Sequence, residues 1–452
     1  MPKEGARTFS PATEKKTKVS TRTRTSALLY PASREEIAAQ QLAKLRELVS
    51  AMLPANRFYA GKLSGVRKDF KTLDEFSSTI PFTTKAELVA DQIAHAPFGT
   101  NLTFPIASYM RFHQTSGTTG TPLRWLDTPE SWDFMVRSWM EVYLAAGVGA
   151  GDKIYFAFSF GPFLGFWLAF DAGQKVGALC IPGGSLSSEA RVKAILENEA
   201  TVLCCTPTYA LHLAEIAEKE KFNLAKLRLK KIIVAGEPGG SIPAIRERLQ
   251  NSWRGAKVFD HHGMTEVGPV TYECPAQPGV LHVIESAYLP EIVNPRTGGA
   301  IARGAIGELV LTTLERTGSP LLRYRTGDLV QTVETENCSC GRKNLALRGG
   351  ILGRADDMLI VRGVNLHPSG VEAILREFDQ VAEFQAVVQN RSSMAELLIR
   401  IEPKPGCDDV ANLAQRIEKK LRLAFGLRVP VATMKIGSLP RFEMKSKRWV
   451  NE

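Results

Sequence analysis

The sequence predicts an α/β protein in which a large N-terminal body, with mixed and parallel sheets and a β-rich subdomain, precedes a small α+β C-terminal domain. In the body, short apolar runs alternate with helical segments between residues 178 and 260, a pattern typical of parallel sheets. A glycine-containing stretch with an apolar strand at 307–312 predicts the β-rich part. Beyond residue 354, helices and strands follow a pattern of their own, which predicts the C-terminal domain.

The 452 residues are accordingly divided into three segments. Residues 1–27 form a basic tail rich in Lys, Arg, Thr and Ser, and we expect it to be disordered because it has no apolar segment to bury. A cleaved organellar presequence is the alternative, although Glu4 and Glu14 are acidic. Residues 28–353 form the N-terminal domain, and residues 354–452 form the C-terminal domain.

Composition narrows the classes of function. No run of about 18 uncharged apolar residues is present, so neither a transmembrane helix nor a membrane partner is expected. Seven cysteines at irregular spacing predict no disulfide framework and favour a reducing cytoplasm. The formal charge of +10 suits polyanions, but no nucleic-acid-binding motif accompanies it, so nucleic acid is not an expected partner.

Apolar periodicity predicts the elements in chain order. The first helix is predicted at Ser33–Leu53, and Tyr155–Phe170 is expected to form a buried strand or a pocket wall. Strands are then predicted at Ala178–Pro182, Thr201–Thr206, Lys231–Ala235 and Lys257–Asp260. Helices are predicted between them at Ser188–Glu199, Pro207–Lys219 and Ser241–Trp253, with Ser241 as an N-cap. The C-terminal domain is predicted to contain helices Ser369–Phe378 and Asp408–Phe425 and strands Phe384–Gln389, Ala395–Glu402 and Thr433–Gly437.

The sharpest motif is a short loop in which hydroxyl side chains alternate with glycines. Glycines let backbone N–H groups approach a phosphate and hydroxyls add donors, whereas the Gly-Lys-Ser/Thr ending of a Walker loop is missing. A surface loop rich in Ser, Thr and Gly is the alternative interpretation. The loop consists of Thr115, Ser116, Gly117, Thr118, Thr119, Gly120 and Thr121.

In its context, this loop resembles the phosphate loop of the adenylate-forming superfamily of acyl-CoA synthetases, nonribosomal adenylation domains and luciferases. Further segments resemble the motifs of that superfamily in the same order along the chain. They are Ala235–Pro238, Asp260–Glu266, Tyr324–Asp328, Gly353–Asp357 with Arg362–Asn365, and Lys445. Within the superfamily, the patterns at Leu321–Asp328, Asp356–Ser369, Glu273-Cys274 and Gly279–His282 resemble phenylacetate-CoA ligases most closely.

The resemblance implies an ATP-dependent carboxylate–CoA ligase. Such an enzyme activates an aryl or arylacetic acid as an acyl-adenylate and then forms a CoA thioester, with release of AMP and diphosphate. A stand-alone adenylation enzyme that loads a carrier protein's phosphopantetheine is the alternative. The implied cofactors and partners are ATP, Mg²⁺, coenzyme A and a small carboxylic acid, and a homodimer is left open.

The resemblance also implies roles for individual residues. Thr265 would donate to the α-phosphate, and Glu266 would hold Mg²⁺, since a hard cation prefers oxygen ligands. Lys445 would bring positive charge to the forming adenylate, with Lys447 as its rival. Asp328 would accept the ribose hydroxyls. Together with the loop, the expected ATP- and AMP-binding residues are Gly236, Glu237, Pro238, His261, His262, Gly263, Met264, Thr265, Asp328 and Arg354.

Two positions depart from the superfamily's pattern. His262 stands where Tyr or Phe usually stacks on adenine, so we expect weaker ATP affinity. Thr121 stands where the loop often ends in Lys, with Arg124 as a possible replacement. By the same resemblance, Asp356 marks the hinge of a mobile C-terminal domain and Gly363 the tunnel for the thiol. The acyl pocket is expected at Phe158, Phe160, Phe163 and Gly236.

A metal site is predicted from four residues in the β-rich part. Cys338 and Cys340 form a short pair in a glycine-containing turn, and Cys274 and His282 lie upstream. Three thiolates and one imidazole suit a tetrahedral structural Zn²⁺. A similar arrangement occurs in some phenylacetate-CoA ligase-like proteins. The alternative is that the four residues are reduced and unconnected.

Overall fold

The structure is a computed structural model that describes residues 33–115, 121–302, 304–334, 338–355, 359–361, 364–366, 368–391, 394–442 and 448–452. Its α-helices are α1 Arg34–Met52, α2 Arg57–Lys62, α3 Leu73–Thr79, α4 Lys85–Ala94, α5 Pro129–Ala145, α6 Leu164–Lys175, α7 Ser188–Glu197, α8 Pro207–Lys219, α9 Pro243–Ser252, α10 Pro368–Arg376 and α11 Val410–Phe425. Two 3₁₀ helices span Ile106–Ser108 and Leu224–Lys226. The tail predicted at 1–27 lies outside the described residues.

The strands fall into three main sheets and two short hairpins. They are β1 Arg111–Gln114, β2 Arg124–Asp127, β3 Lys153–Phe156, β4 Leu179–Pro182, β5 Val202–Cys205, β6 Lys231–Val234, β7 Lys257–Asp260, β8 Gly263–Met264, β9 Gly268–Pro269, β10 Thr271–Glu273, β11 Val280–Val283, β12 Tyr288–Val293, β13 Ile306–Thr313, β14 Tyr324–Val333, β15 Ala346–Arg348, β16 Gly353–Arg354, β17 Leu359–Val361, β18 Val364–Leu366, β19 Val381–Arg391, β20 Met394–Pro403, β21 Val431–Thr433 and β22 Trp449–Asn451.

The central sheet is parallel throughout, in the order β4-β3-β5-β6-β7. All four residues of β5 are buried, as expected of a strand covered on both faces. One apolar cluster contains residues of α5 and α6, and a second contains residues of α7, α8 and α9. The strands and helices predicted for this region are confirmed within a few residues. Ser241 is not an N-cap, because α9 begins after Ile242 and the Ser241 hydroxyl donates to Asp260 instead.

The β-rich part is an antiparallel sheet in the order β10-β11-β15-β14-β13-β12, with β16 paired to β14. This sheet contains the predicted strand at 307–312 as part of β13. It places Asp328 on β14 opposite Arg354 on β16, and His282 on β11. The sheet therefore carries both the expected ribose ligand and part of the expected metal site.

The C-terminal sheet has the order β18-β17-β20-β19-β22, with β21 beside β20. Helices α10 and α11 contribute to its apolar core. The predicted strand Thr433–Gly437 is wrong, because β21 ends at Thr433 and Lys435–Ser438 forms a turn with Gly437 at φ +79°. The last strand of the chain is β22, which runs parallel to β19.

Two further helical regions position the site. In the stretch Tyr155–Phe170, predicted as a strand or a pocket wall, only the first two residues belong to β3, and α6 begins at Leu164. Aromatic and glycine residues of α6 obscure its helical period. Near the N-terminus, Thr84 and Glu87 form a reciprocal capping box that starts α4 and places Lys85 in its first turn. Among the described residues, no helix is both long and apolar enough to cross a membrane.

Candidate active site and metal-binding cluster

The candidate site lies at the edge of the parallel sheet where the carboxyl ends of its strands meet. Segments following β3, β5, β6 and β7 all leave from this edge. Ligands of open α/β sheets commonly bind there, because loops from several strands converge. Eight of the residues expected to bind nucleotide, 236–238 and 261–265, follow β6 and β7.

A tight hairpin after β7 presents the expected catalytic pair. Strands β8 and β9 pair Gly263 with Pro269 and Met264 with Gly268, so Thr265, Glu266 and Val267 form the loop between them. Gly268 closes the loop at φ +104°, where a residue with a Cβ would be strained. The hairpin therefore fixes Thr265 and Glu266 side by side.

The Glu266 carboxylate is almost enclosed but has two polar neighbours. The Lys85 Nζ lies 3.6 Å from its Oε1, and the Tyr324 hydroxyl donates to the same oxygen over 3.4 Å. The carboxylate offers oxygen ligands of the kind that a hard cation prefers, and the ammonium of Lys85 can bind a phosphate oxygen. Sequence reasoning did not identify Lys85. It suggested Arg124 as the replacement for the loop lysine, but the guanidinium of Arg124 donates to the Pro97 carbonyl instead.

Asp328 lies between a histidine and an arginine. Its Oδ1 accepts from Arg354 Nη1 over 3.2 Å, and its Oδ2 lies 2.9 Å from His262 Nε2. The contact with His262 is not aligned as a hydrogen bond, so within the described residues the buried Oδ2 lacks an aligned donor. The carboxylate thus has one acceptor oxygen without a hydrogen-bond donor, which the superfamily resemblance expects a ribose hydroxyl to supply.

Asp260 and His261 precede the hairpin and have perturbed pKa values. Asp260 is partly exposed as a residue, but its carboxyl group is buried. This burial and the charge of nearby Glu273 raise the pKa of Asp260 to about 7, although the hydrogen bond from Ser241 acts in the opposite direction. Burial lowers the pKa of His261 to about 3. The neutral His261 ring packs edge-on against Trp139, with the ring centroids 4.4 Å apart.

We expect the stability of the Asp260→Asn variant, relative to the wild type, to improve as the pH rises from about 5 to about 8. The unfolded carboxyl ionises near pH 4, whereas the folded one holds its proton to about 7, so the wild type loses stability across that window, by up to about 1.4 kcal/mol per pH unit. An amide cannot ionise. The melting temperatures of both proteins are measured at each pH, and one is subtracted from the other. The titration of His261 changes stability in the opposite direction, but it is common to both proteins and cancels in this difference. A difference that stays constant with pH would contradict the assignment.

Of the expected phosphate loop, Thr115 and Thr121 are described, and Ser116, Gly117, Thr118, Thr119 and Gly120 lie outside the described residues. The loop base is closed at Thr115, whose N–H donates to the Leu123 carbonyl and whose hydroxyl accepts from the Leu123 N–H. The Gln114 N–H donates to the Pro162 carbonyl over 2.8 Å. The loop therefore begins beside the aromatic segment expected to bind the acyl group.

That aromatic segment forms a wall of partly buried rings. Phe158 stacks on Phe166 with centroids 4.2 Å apart, and Phe160 packs against Trp167 at 5.0 Å. Phe163 contacts Phe166 edge-on. The wall is continuous with the core through Phe156, yet Phe158, Phe160 and Phe163 all keep partial exposure. A flat apolar ligand can pack against such a surface.

The adenine-side segment has a structural contact of its own. Gly236 has φ +94°, and the Glu237 carboxylate accepts from the Thr208 N–H in the first turn of α8 over 2.8 Å. Thr208 also contacts the C-terminal domain, because its hydroxyl accepts from Arg448 Nη1 over 3.3 Å. Arg448 is anchored in turn on Glu383 over 2.6 Å. The C-terminal domain is thus docked next to the segment that follows β6.

Three further expected functional residues lie outside the part of the chain that the structure describes, in addition to the five loop residues. Lys445, Asp356 and Gly363 lie outside the described residues, as does Lys447. Arg448 is the first described residue after Lys445, and it is the residue that contacts Thr208.

The four expected zinc ligands come together. The metal-binding cluster consists of Cys274, His282, Cys338 and Cys340, whose ligand atoms all lie within 4.8 Å of one another. Sγ–Sγ distances are 3.6 Å from Cys274 to Cys338 and 3.1 Å from Cys338 to Cys340. His282 Nε2 lies 3.8 Å from Cys338 Sγ and 3.4 Å from Cys340 Sγ.

These distances approximate those around one tetrahedral ion, with the sulfurs of Cys338 and Cys340 closer together than the ideal. With Zn–S bonds of about 2.3 Å, ligand sulfurs of a tetrahedral site lie about 3.8 Å apart. His282 Nδ1 lies 3.1 Å from the Asn344 carbonyl, which fixes the tautomer with Nδ1 protonated and leaves the Nε2 lone pair facing the sulfurs. The donor set and its hydrogen bonding therefore suit Zn²⁺.

Comparisons with known proteins show the family to which the chain belongs. Residues 111–314 match the sequence model described as AMP-binding enzyme, and residues 363–452 match the AMP-binding enzyme C-terminal domain. The chain is 33% identical to the phenylacetate-coenzyme A ligase of Thermus thermophilus, with 91% of this chain and 95% of that protein covered. It is 30% identical to the phenylacetate-coenzyme A ligase of Escherichia coli, with 92% and 95% covered.

Solved structures of one enzyme are similar in different states. The 2-hydroxyisobutyryl-CoA ligase in the postadenylation state with 2-HIB-AMP gives a TM-score of 0.88 at 27% identity, covering 94% of this chain and 91% of that one. The same ligase with 2-HIB-AMP and CoA in the thioesterification state gives 0.70 at 28% identity, with 94% and 91% covered.

Proposed function

The chain belongs to the AMP-binding enzyme family, and from that premise we propose that it activates an aryl or arylacetic acid with ATP and transfers the acyl group to free coenzyme A. At the coarser level it is an AMP-forming acid–thiol ligase that works through an acyl-adenylate. The observation that carries the finer proposal is the convergence, at one sheet edge, of the Thr265–Glu266 hairpin, Asp328 with a carboxylate oxygen that lacks a hydrogen-bond donor, and the aromatic wall.

In the first half-reaction, a carboxylate oxygen of the acid attacks the α-phosphorus of ATP, the bond to the β-phosphate breaks, and diphosphate leaves. Asp328 binds the ribose, and the Thr265 hydroxyl donates to the α-phosphate. Glu266 would hold Mg²⁺, which supplies charge neutralisation for the phosphates when bound, and Lys85 adds a positive charge beside it. Lys445 completes the site from the C-terminal domain.

In the second half-reaction, the thiol attacks the acyl carbonyl carbon, the bond to the AMP oxygen breaks, and the thiol proton is lost to solvent. The groups needed near the acyl carbon differ between the steps, so we propose that the C-terminal domain rotates about Asp356 and brings Gly363 to the thiol path. The higher TM-score with a postadenylation structure than with a thioesterification structure supports a first-step arrangement for the structure described here. This proposal includes a domain boundary at residue 354, where the rotating C-terminal domain begins.

The substrate class rests on the aromatic wall. Phe158, Phe160 and Phe163 line the segment next to the phosphate loop and keep partial exposure, so a ring bound there would be desolvated on one face. An aryl or arylacetic acid has its carboxylate one or two bonds from such a ring. That geometry brings the carboxylate to the loop while the ring packs on the wall.

The metal-binding cluster is proposed to hold one structural Zn²⁺. It ties β10 and β11 to the turn at 338–341, and Cys274 is buried. Three thiolates with one correctly oriented imidazole leave no open coordination position, which suits a structural rather than a catalytic ion. We also propose a cytoplasmic location, because a reducing compartment keeps the cysteine ligands in the thiol form.

We expect thioester formation with free coenzyme A to show a lower apparent KM than with pantetheine, by at least about tenfold. The nucleotide half of coenzyme A carries several negative charges, which exposed basic side chains bind through charge-assisted contacts. Because salt screens such contacts, the apparent KM for coenzyme A is expected to rise with ionic strength, while that for pantetheine stays nearly constant. Initial rates for the two thiols at several salt concentrations provide the measurement.

A phosphopantetheinylated carrier protein is the necessary third acceptor in this experiment. Efficient transfer to the carrier alone would replace the coenzyme A assignment with the carrier-loading alternative and leave the adenylation chemistry intact. Equal use of pantetheine and coenzyme A would mean that the nucleotide half is not bound.

A further inference from the structure

A fully buried arginine lies directly behind the catalytic hairpin. The Arg316 side chain has no exposed surface, and its guanidinium stacks over the ring of Trp125 at 5.3 Å. Its Nε and Nη2 each donate to one carboxylate oxygen of Asp127 over 2.7 Å. The third nitrogen, Nη1, donates to the carbonyls of Thr265 and Glu266 over 2.9 and 2.8 Å.

The hairpin depends on contacts from outside because its own pairing does not reach the loop carbonyls. The β8–β9 pairing ends at Met264 and Gly268, so the carbonyls of the three loop residues point away from the ladder. Arg316 binds the first two, and the buried Tyr288 hydroxyl donates to the third, Val267, over 2.9 Å. Each loop peptide is therefore held by a side chain from another element.

The ion pair behind the hairpin is not explained by stability alone. Taking a guanidinium and a carboxylate out of water is costly, and an apolar pair of similar volume is often as stable. Burial alone would raise the pKa of Asp127, but the charge of Arg316, with help from His113, lowers it, so the pair stays ionised. A permanently charged, rigid donor is thus maintained in the protein interior at this position.

We propose that Arg316 is a positioning residue for the adenylation step: held by Asp127, it fixes the backbone of Thr265 and Glu266 and thereby the direction of both side chains. This inference rests on the proposed function, which gives Thr265 the α-phosphate and Glu266 the magnesium ion. Release of the two carbonyls lets the loop peptides rotate, which moves the hydroxyl and the carboxylate relative to the phosphates. Misplacement by about 1 Å can reduce a rate on the order of 10²-fold.

The test compares Arg316→Gln with Arg316→Lys and a matched structural control. Arg34→Gln serves as the control, because Arg34 also forms a forked contact with a buried carboxylate, Glu285, and donates to a carbonyl, that of Lys343, while none of these partners is a proposed site residue. Adenylation is measured as acid-dependent ATP–diphosphate exchange. Thioester formation from preformed acyl-adenylate and calorimetric binding of ATP with and without Mg²⁺ are measured separately.

For Arg316→Gln, we expect the adenylation rate to fall on the order of 10²-fold, with little change in the KM for the acid. The strengthening of ATP binding by Mg²⁺ should be lost, while thioester formation is retained. Arg316→Lys should recover part of the rate, because an ammonium can pair with Asp127 and bond one carbonyl. Arg34→Gln should lower the melting temperature without changing either half-reaction.

If Arg316→Gln does not fold, the double variant Asp127→Asn/Arg316→Gln removes both buried charges and is measured in the same way. Unchanged adenylation and unchanged Mg²⁺ dependence in a folded Arg316 variant would overturn the positioning role while leaving the proposed function intact. An equal loss in both half-reactions would also overturn it. A wild type that performs no acid-dependent exchange would refute the proposed function, and the positioning role with it.

Discussion

Replacing Lys445 with alanine is expected to slow acyl-adenylate formation on the order of 10²-fold or more and to leave thioester formation from preformed adenylate intact. Negative charge builds at the α-phosphorus as two anions are brought together, and a positioned ammonium stabilises that charge specifically in the transition state. ATP–diphosphate exchange measures the first step. Conversion of synthetic acyl-adenylate and coenzyme A to thioester measures the second.

Lys447 supplies the matched control for this prediction. It lies two residues further along and carries the same charge, so Lys447→Ala makes the same change in net charge. In an extended segment, residues two apart share a face, so Lys447 would lie on the same side as Lys445 but about 6–7 Å further along, away from the forming adenylate. We expect Lys447→Ala to retain exchange activity near the wild-type level. Equal losses in both half-reactions for Lys445→Ala, or a larger exchange defect in Lys447→Ala, would refute the assigned role.

Substituting Cys338 with serine is expected to remove the bound zinc and to lower the melting temperature by several degrees. The wild type should contain about one Zn per chain by elemental analysis, since four ligand atoms converge on one point. The free energy of metal binding contributes to folding, so loss of one ligand reduces both the zinc content and the stability of the fold. Treatment of the wild type with a strong chelator should reproduce the destabilisation.

Cys407→Ser is the control for the metal, because Cys407 packs against the core of the C-terminal domain, far along the chain from the metal-binding cluster. It should retain zinc. A wild type that is free of metal and equally stable would contradict the proposal. So would a Cys338→Ser protein that still binds a full equivalent of zinc.

The parts of the fold that follow from sequence are those in which burial and periodicity agree. Strand β5 is apolar at every position and buried at every position, and the flanking helices α7 and α8 begin at clear capping residues. Helix α6 was missed because Phe166, Trp167 and Phe170 lie on one side of it and the buried Leu164 and Leu168 on another, so no single apolar stripe appears. The final strand was missed because β22 is only three residues long and pairs with a distant strand.

The candidate site was predictable where side-chain chemistry is specific. Three thiols and an imidazole suggested a metal site from their chemistry, and the structure brings the four side chains together. Lys85 and Arg316 were not found, because their roles depend on contacts between residues distant in the chain. A capping box at Thr84 was readable and would have placed Lys85 in a helix, although not beside Glu266. A buried arginine gives no signal in sequence, since arginines are mostly exposed.

The most direct test of the central claim is acid-dependent AMP release by the purified wild type, measured across a panel of aryl, arylacetic and aliphatic acids with and without coenzyme A. The account predicts AMP release that requires ATP, Mg²⁺, an aryl or arylacetic acid and coenzyme A together, with an equal amount of thioester formed. It also predicts ATP–diphosphate exchange with the same acids when coenzyme A is left out. Absence of exchange with every acid, or strong preference for short aliphatic acids, would contradict the account.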